Sequence, residues 1–169
     1  EGVCIKKKQK IKSLEIGRLQ TFATTTAIVH NKKLFAVSEN KRAKVAVIGA
    51  GPAGIACACE LRLHGYLVDI YEEKAQPSGL LIHGVAPYKI ENLEITTEIN
   101  YLQSIFGFTV HYNSPIKTKT DLQKLEKTYS AIFLGIGLGN TKSLNIRGED
   151  LKNCIGATEF IEQLKLNRL

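Results

Sequence analysis

No apolar run in this sequence reaches the roughly 18 residues that a membrane-spanning helix requires, and no N-terminal stretch has the apolar core of a secretory signal. Membrane partners are therefore not expected. Methionine and tryptophan are absent, an unusual composition from which no function class follows. Cysteine is sparse: Cys4, Cys57, Cys59 and Cys154 form no C-x-x-C pair, which argues against a redox dithiol or a zinc knuckle. Cys57 and Cys59 lie two apart on a predicted helix and so point away from each other, which suits small core fillers. His30, His64, His83 and His111 show no metal-ligand or triad spacing, and no carboxylate pair stands out as acid and base. Any chemistry would have to reside in a bound cofactor.

Acidic residues are scarce at the N-terminus. Residues 1–44 hold 11 Lys/Arg against 3 Asp/Glu, whereas residues 45–169 hold 12 against 13, so the net charge of +7 belongs to the first segment. The run Lys6-Lys7-Lys8-Gln9-Lys10-Ile11-Lys12 has no interleaved aromatics and no nucleic-acid motif, so it reads as a solvated arm and nucleic acid is not an expected partner. A reducing, cytoplasmic setting is expected.

With 169 residues and 44% apolar content the chain can bury one substantial core. The apolar spacing of Leu14, Ile16, Leu19, Phe22 and Ala23 predicts a helix over 11–29. A polar, basic linker follows from Asn31 and places a boundary near residue 43, giving a helical N-terminal segment (1–42) and a second unit (43–169). Strands are expected at 44–49, 67–72, 109–112 and 131–134. Helices are expected at 52–64, 92–106, 121–127 and 157–166, and an extended loop at 73–91. Strands alternating with helices predict an α/β fold, a parallel sheet with helices on both faces.

The chemistry sits in Gly49-Ala50-Gly51-Pro52-Ala53-Gly54, a G-x-G-x-x-G run between an apolar strand and a helix. Gly49 permits the tight turn, Gly51 lets backbone approach a pyrophosphate, and Gly54 lets helix and strand pack closely. Pro52 suits the first helical position, whose amide has no intrahelical partner. Glu72 ends the second strand 23 residues beyond Gly49, where a carboxylate can accept ribose hydroxyls. A 2′-phosphate would meet that carboxylate, so FAD or NAD is favoured over NADP at this site. Neighbouring Glu73 has a weaker claim to the same role. A second run, Gly135-Ile136-Gly137-Leu138-Gly139-Asn140, also follows an apolar strand and is either a ligand contact or an ordinary glycine-rich turn.

Val45–Leu81, with Ile70-Tyr71-Glu72-Glu73-Lys74, resembles the FAD-binding start of a pyridine nucleotide-disulfide oxidoreductase-type flavoprotein. Pro77-Ser78-Gly79-Leu80-Leu81, Gly84-Val85-Ala86-Pro87-Tyr88-Lys89 and Phe133–Asp150 resemble one branch, that of the glutamate synthase small subunit and the NADPH-oxidising half of dihydropyrimidine dehydrogenase. Adrenodoxin reductase is a more distant relative. Ile16–Thr24 resembles the helical segment preceding FAD in the dihydropyrimidine dehydrogenase-like members.

The resemblance implies a Rossmann-like FAD-binding sheet and electron flow from NAD(P)H through FAD to iron–sulfur clusters in a partner subunit or further domain. It places Gly51, Pro52, Ala53 and Gly54 at the pyrophosphate and Glu72 on the ribose. Gly79 and Leu80 would lie beside the ribityl and pyrophosphate groups, Lys89 near the flavin, the Ile116 backbone at the adenine and Gly137 in a second contact loop. Ser78 stands where many members carry glycine, and Arg147 replaces a usual proline. Only Cys4 precedes residue 57, so no iron–sulfur cluster is assigned, and segment 1–42 reads as the remnant of an iron–sulfur helical domain. The sequence stops at Leu169, where the NAD(P)H domain would begin, so a fragment or a natural truncation of a longer flavoprotein is expected, unable by itself to accept a hydride. The rivals are a non-catalytic remnant serving as an assembly module and a simple NAD-binding dehydrogenase. The latter is disfavoured by Pro52-Ala53 and the Gly79, Pro87 and Gly137 segments.

Overall fold

The computed structural model describes residues 13–39, 43–139 and 141–167. Packing divides the chain into two compact units, Glu1–Ala36 and Val37–Leu169. The basic run 6–12, Cys4, linker residues 40–42 and Asn140 lie outside the described residues.

In the first unit, α1 spans Ile16–Val29. Residues 13–15 are not helical, so the helix starts later than its apolar periodicity predicts. Thr21, Thr24 and Thr26 donate their hydroxyls to carbonyls one turn back, and Asn31 ends the helix in a left-handed conformation (φ 46°). Only Ala27 of α1 is buried, whereas Leu19 and Phe22 are exposed.

The second unit is an α/β layer structure. Strands β1 (Lys44–Ile48), β2 (Leu67–Tyr71), β3 (Thr109–His111) and β4 (Ala131–Leu134) form one parallel sheet in the order β3-β2-β1-β4. In register, Ile48 lies beside Tyr71 on one side and Leu134 on the other. Four buried residues in a row, Val45 to Ile48, explain why β1 is central. Alternate side chains go to opposite faces. Val47, Val68 and Ile70 join the larger core with Ile55 and Ala58 of α2 (Pro52–Leu63) and Ile95, Ile99 and Phe106 of a further helix, Asn92–Phe106. Ala46 and Ile48 join a smaller core with Leu125, Leu122 and Tyr129 on the other face. The sheet thus has helices on both faces, as the alternating pattern predicts.

Segment 73–91 holds a one-turn helix, α3 (Leu80–His83), where an extended loop is predicted. Its four residues are too few for a periodicity to register. Helix α4 is Asn92–Phe106: the Glu94 carboxylate accepts the Glu91 amide at its start, and Gly107 stops it at φ 67°. Helix α5 spans Lys119–Thr128 and begins two residues before Asp121, because Thr118 is the cap. The Thr118 hydroxyl accepts the Asp121 amide and the Asp121 carboxylate accepts the Thr118 amide, each at 3.1 Å. The last helix, α6, is Ala157–Lys165. Buried Arg62 links α2 to α4 by donating from Nε to the Phe106 carbonyl at 2.6 Å. Among the described residues no helix is long and apolar enough to cross a membrane.

Candidate functional site

The site forms where β1 leaves the sheet and α2 begins. Gly49 has φ 99°, which an L side chain rarely adopts, and its amide donates to the Tyr71 carbonyl at 2.8 Å. A Cβ on Gly54 would collide with the Gly49 carbonyl oxygen. Both glycines are therefore required by backbone packing alone. Gly51 is the N-cap of α2 with φ −72°, and a Cβ there would meet nothing nearer than the Gly135 oxygen at 4.0 Å. Its free side is open backbone. Pro52 and Ala53 follow, both exposed, at the amide-rich start of the helix.

Gly135 completes the turn from β4. Its amide donates to the Ile48 carbonyl at 2.8 Å, and its own oxygen lies 2.5 Å from where a Gly49 Cβ would stand. The second glycine run thus packs on the first, through Gly135. Gly137 stands further out, with φ 72° and no atom within 4 Å of a would-be Cβ. Leu134, Ile136 and Leu138 of the same stretch are exposed.

Glu72 is buried to 8% exposure at the end of β2. Its Oε2 accepts the Ala50 amide at 2.7 Å and its Oε1 the Lys74 amide at 2.8 Å. Each oxygen keeps a further lone pair. The charge of Glu72, after burial, pushes the half-buried Tyr112 phenol up from its ordinary pKa. Glu73 points elsewhere: its exposed carboxylate pairs with Lys117 at 2.6 Å.

Segment 74–90 lies over the turn. Ser78 donates its amide to the Ala50 carbonyl at 2.6 Å and is itself left-handed at φ 73°, beside Gly79 at φ 48°. That is the physical reason a glycine suits position 78. A Cβ on Gly79 would come 3.4 Å from the Gly51 Cα, so these two glycines face each other. Leu80 is exposed. Lys89 is exposed over the Tyr88 ring, 5.9 Å from its centroid. Ile116 packs in the smaller core, and the segment before it is tied to the site by Ser114 donating to the Glu72 carbonyl at 2.8 Å. Gly49, Gly51, Gly54, Glu72 and Gly79 therefore converge.

Sequence reasoning missed Ala50, whose amide donates to Glu72 and whose carbonyl accepts from the Ser78 amide, and Gly135 as the residue that closes the turn. It also missed His83, buried with its Nδ1 3.2 Å from Glu162 of α6. Burial lowers the His83 pKa and so does Lys74, against the opposing pull of Glu162. Among the described residues no group of His, Cys, Asp and Glu could hold a metal ion.

A parallel sheet with a bare glycine turn at a helix start and a buried carboxylate after the next strand defines a dinucleotide-binding domain. The model of the pyridine nucleotide-disulphide oxidoreductase family matches residues 43–168, and the chain belongs to that family. It is 28% identical to the glutamate synthase (NADPH) small chain of Azospirillum brasilense over 95% of its own length and 33% of that protein's. It is 30% identical to the NAD-dependent dihydropyrimidine dehydrogenase subunit PreT of Escherichia coli strain K12, over 78% of this chain and 32% of that one. The fold is similar to Mycobacterium tuberculosis FprA in complex with NADPH, with a TM-score of 0.64 and 25% identity over 73% of this chain and 29% of FprA. The chain thus spans a third or less of the length of these relatives.

Proposed function

We propose that the second unit binds FAD and forms the flavin-binding part of an NAD(P)H-dependent oxidoreductase that passes electrons toward iron–sulfur clusters. One observation carries this reading: open backbone at Gly51 and the α2 amides sits beside a buried carboxylate that retains acceptor capacity. Gly49 makes the tight turn, Gly51, Pro52, Ala53 and Gly54 lie at the pyrophosphate, and Glu72 accepts the ribose hydroxyls. Glu73, committed to Lys117, does not compete for that role. Gly79 and Leu80 lie along the pyrophosphate and ribityl chain, the Ile116 backbone meets the adenine, Lys89 lies toward the flavin and Gly137 belongs to the second contact loop.

FAD, when bound, accepts a hydride and releases electrons singly. This chain's residues contribute binding and orientation. The NAD(P)H site and the iron–sulfur acceptor belong to a further domain or a partner subunit, a reading supported by the larger size of the relatives. The described cysteines are unpaired, which supports a reducing, cytoplasmic setting.

The test is a titration of the purified chain with FAD, NAD and NADP by calorimetry, with a visible spectrum after removal of free ligand. Retained flavin bands and preference for FAD are expected. A spectrum without flavin, or tighter binding of NAD, would end the reading.

A further inference from the structure

Helix α6 reaches back across the chain to grip the segment that covers the dinucleotide turn. Lys74 donates its ammonium to both oxygens of Glu162, at 2.8 and 2.7 Å. Lys165 donates to the carbonyls of Leu81 and Ile90, at 2.8 and 3.1 Å, bridging the two ends of 81–90. Asn92 returns a bond to the Lys165 carbonyl at 3.1 Å. His83 lies against the same Glu162 carboxylate.

This grip acts where the backbone has reason to relax. Ser78 and Gly79 are consecutive residues with positive φ, a corner that holds only when its surroundings determine it. Helix α3 is one turn long and satisfies few of its own carbonyls, and Lys165 supplies the partner for Leu81. Lys74 extends the chain of contacts into the site: its ammonium meets Glu162 while its amide holds Glu72, whose other oxygen holds Ala50.

We propose that Glu162 and Lys165 are positioning residues for the dinucleotide. They fix segment 74–90, and through Lys74 the carboxylate of Glu72, in the arrangement that receives the pyrophosphate and ribose. This inference rests on the FAD reading above for its ligand. An exposed ion pair adds little to stability, but these donors are charged and act together on one short segment.

The test compares the native chain with Lys165→Met, Lys165→Arg and Glu162→Gln in two measurements. FAD titration is expected to show binding weaker by about tenfold for Lys165→Met and Glu162→Gln, the loss of one charge-assisted contact, with recovery in Lys165→Arg. Hydrogen exchange of the FAD-free chain is expected to show faster exchange of the Ser78, His83, Gly84 and Val85 amides in the two weakened variants, with β1 and β2 unchanged. Native FAD affinity in Lys165→Met and Glu162→Gln overturns the proposal. If the native chain takes up no FAD, the FAD reading fails by itself and exchange decides the grip: faster exchange at 78–85 upholds it, and unchanged exchange overturns it.

Discussion

The carboxylate of Glu72 holds the amide of Ala50, at 2.7 Å, from the neighbouring strand end. The side chain expected to read the ribose is therefore also a structural clamp on the phosphate turn, and ligand and fold share one buried acceptor. Glu72→Gln replaces an oxygen with an amide group facing a backbone donor. One charge-assisted bond is lost, so the FAD-free chain should lose about 1.5–3 kcal/mol in urea denaturation. An unchanged urea midpoint would show that the clamp contributes nothing.

Gly54 and Gly51 separate packing from binding. Gly54→Ala drives a methyl into the Gly49 carbonyl and should destabilise the chain by about 3 kcal/mol or prevent folding. Gly51→Ala meets open space and should keep the native circular dichroism and melting temperature. Its methyl would stand where the pyrophosphate approaches, so FAD affinity should fall by about tenfold or more.

Ser78 carries a left-handed backbone without being glycine. Ser78→Gly removes a steric cost of about 1 kcal/mol, partly offset by the greater freedom of glycine when unfolded. A melting temperature equal to or above the native one is expected, while Ser78→Val should lower it. A clear loss of stability in Ser78→Gly would contradict the backbone argument.

The folded pKa of His83 is lowered chiefly by burial and next by Lys74. The folded state then binds fewer protons than the unfolded state, so stability falls as pH falls. The contribution is fully present above the ordinary value of 6.5 and is lost as pH drops through the lower folded value. The urea midpoint should therefore decline below about pH 6.5, before carboxylates titrate, and His83→Gln should flatten that decline.

Burial raises the Cys59 thiol to about 11 and also raises Cys57, whereas Cys154 is exposed. At pH 8 only about one Cys59 in a thousand is thiolate. Among the described cysteines, iodoacetamide followed by peptide mass mapping should label Cys154 before Cys57 and Cys59, with Cys59 labelling faster on unfolding.

The strand, turn and helix from Val45 to Leu63, the glycine spacing within them and the alternation of elements were set by the sequence itself. Each rests on interactions between near neighbours: the buried run of β1, the tight turn at Gly49, proline at the first helical position. Helix α3 escaped because one turn carries no period, and α5 started early because Thr118 caps it. What only the tertiary structure decided lies in contacts between distant residues. Glu72 meets Ala50 across 22 positions and Lys74 meets Glu162 across 88. Gly135 matters because the sheet order places β4 beside β1, bringing its backbone against Gly49 and Gly54. A residue's own neighbours fix its backbone preferences, but which buried amide meets which carboxylate follows from the packing of the whole layer.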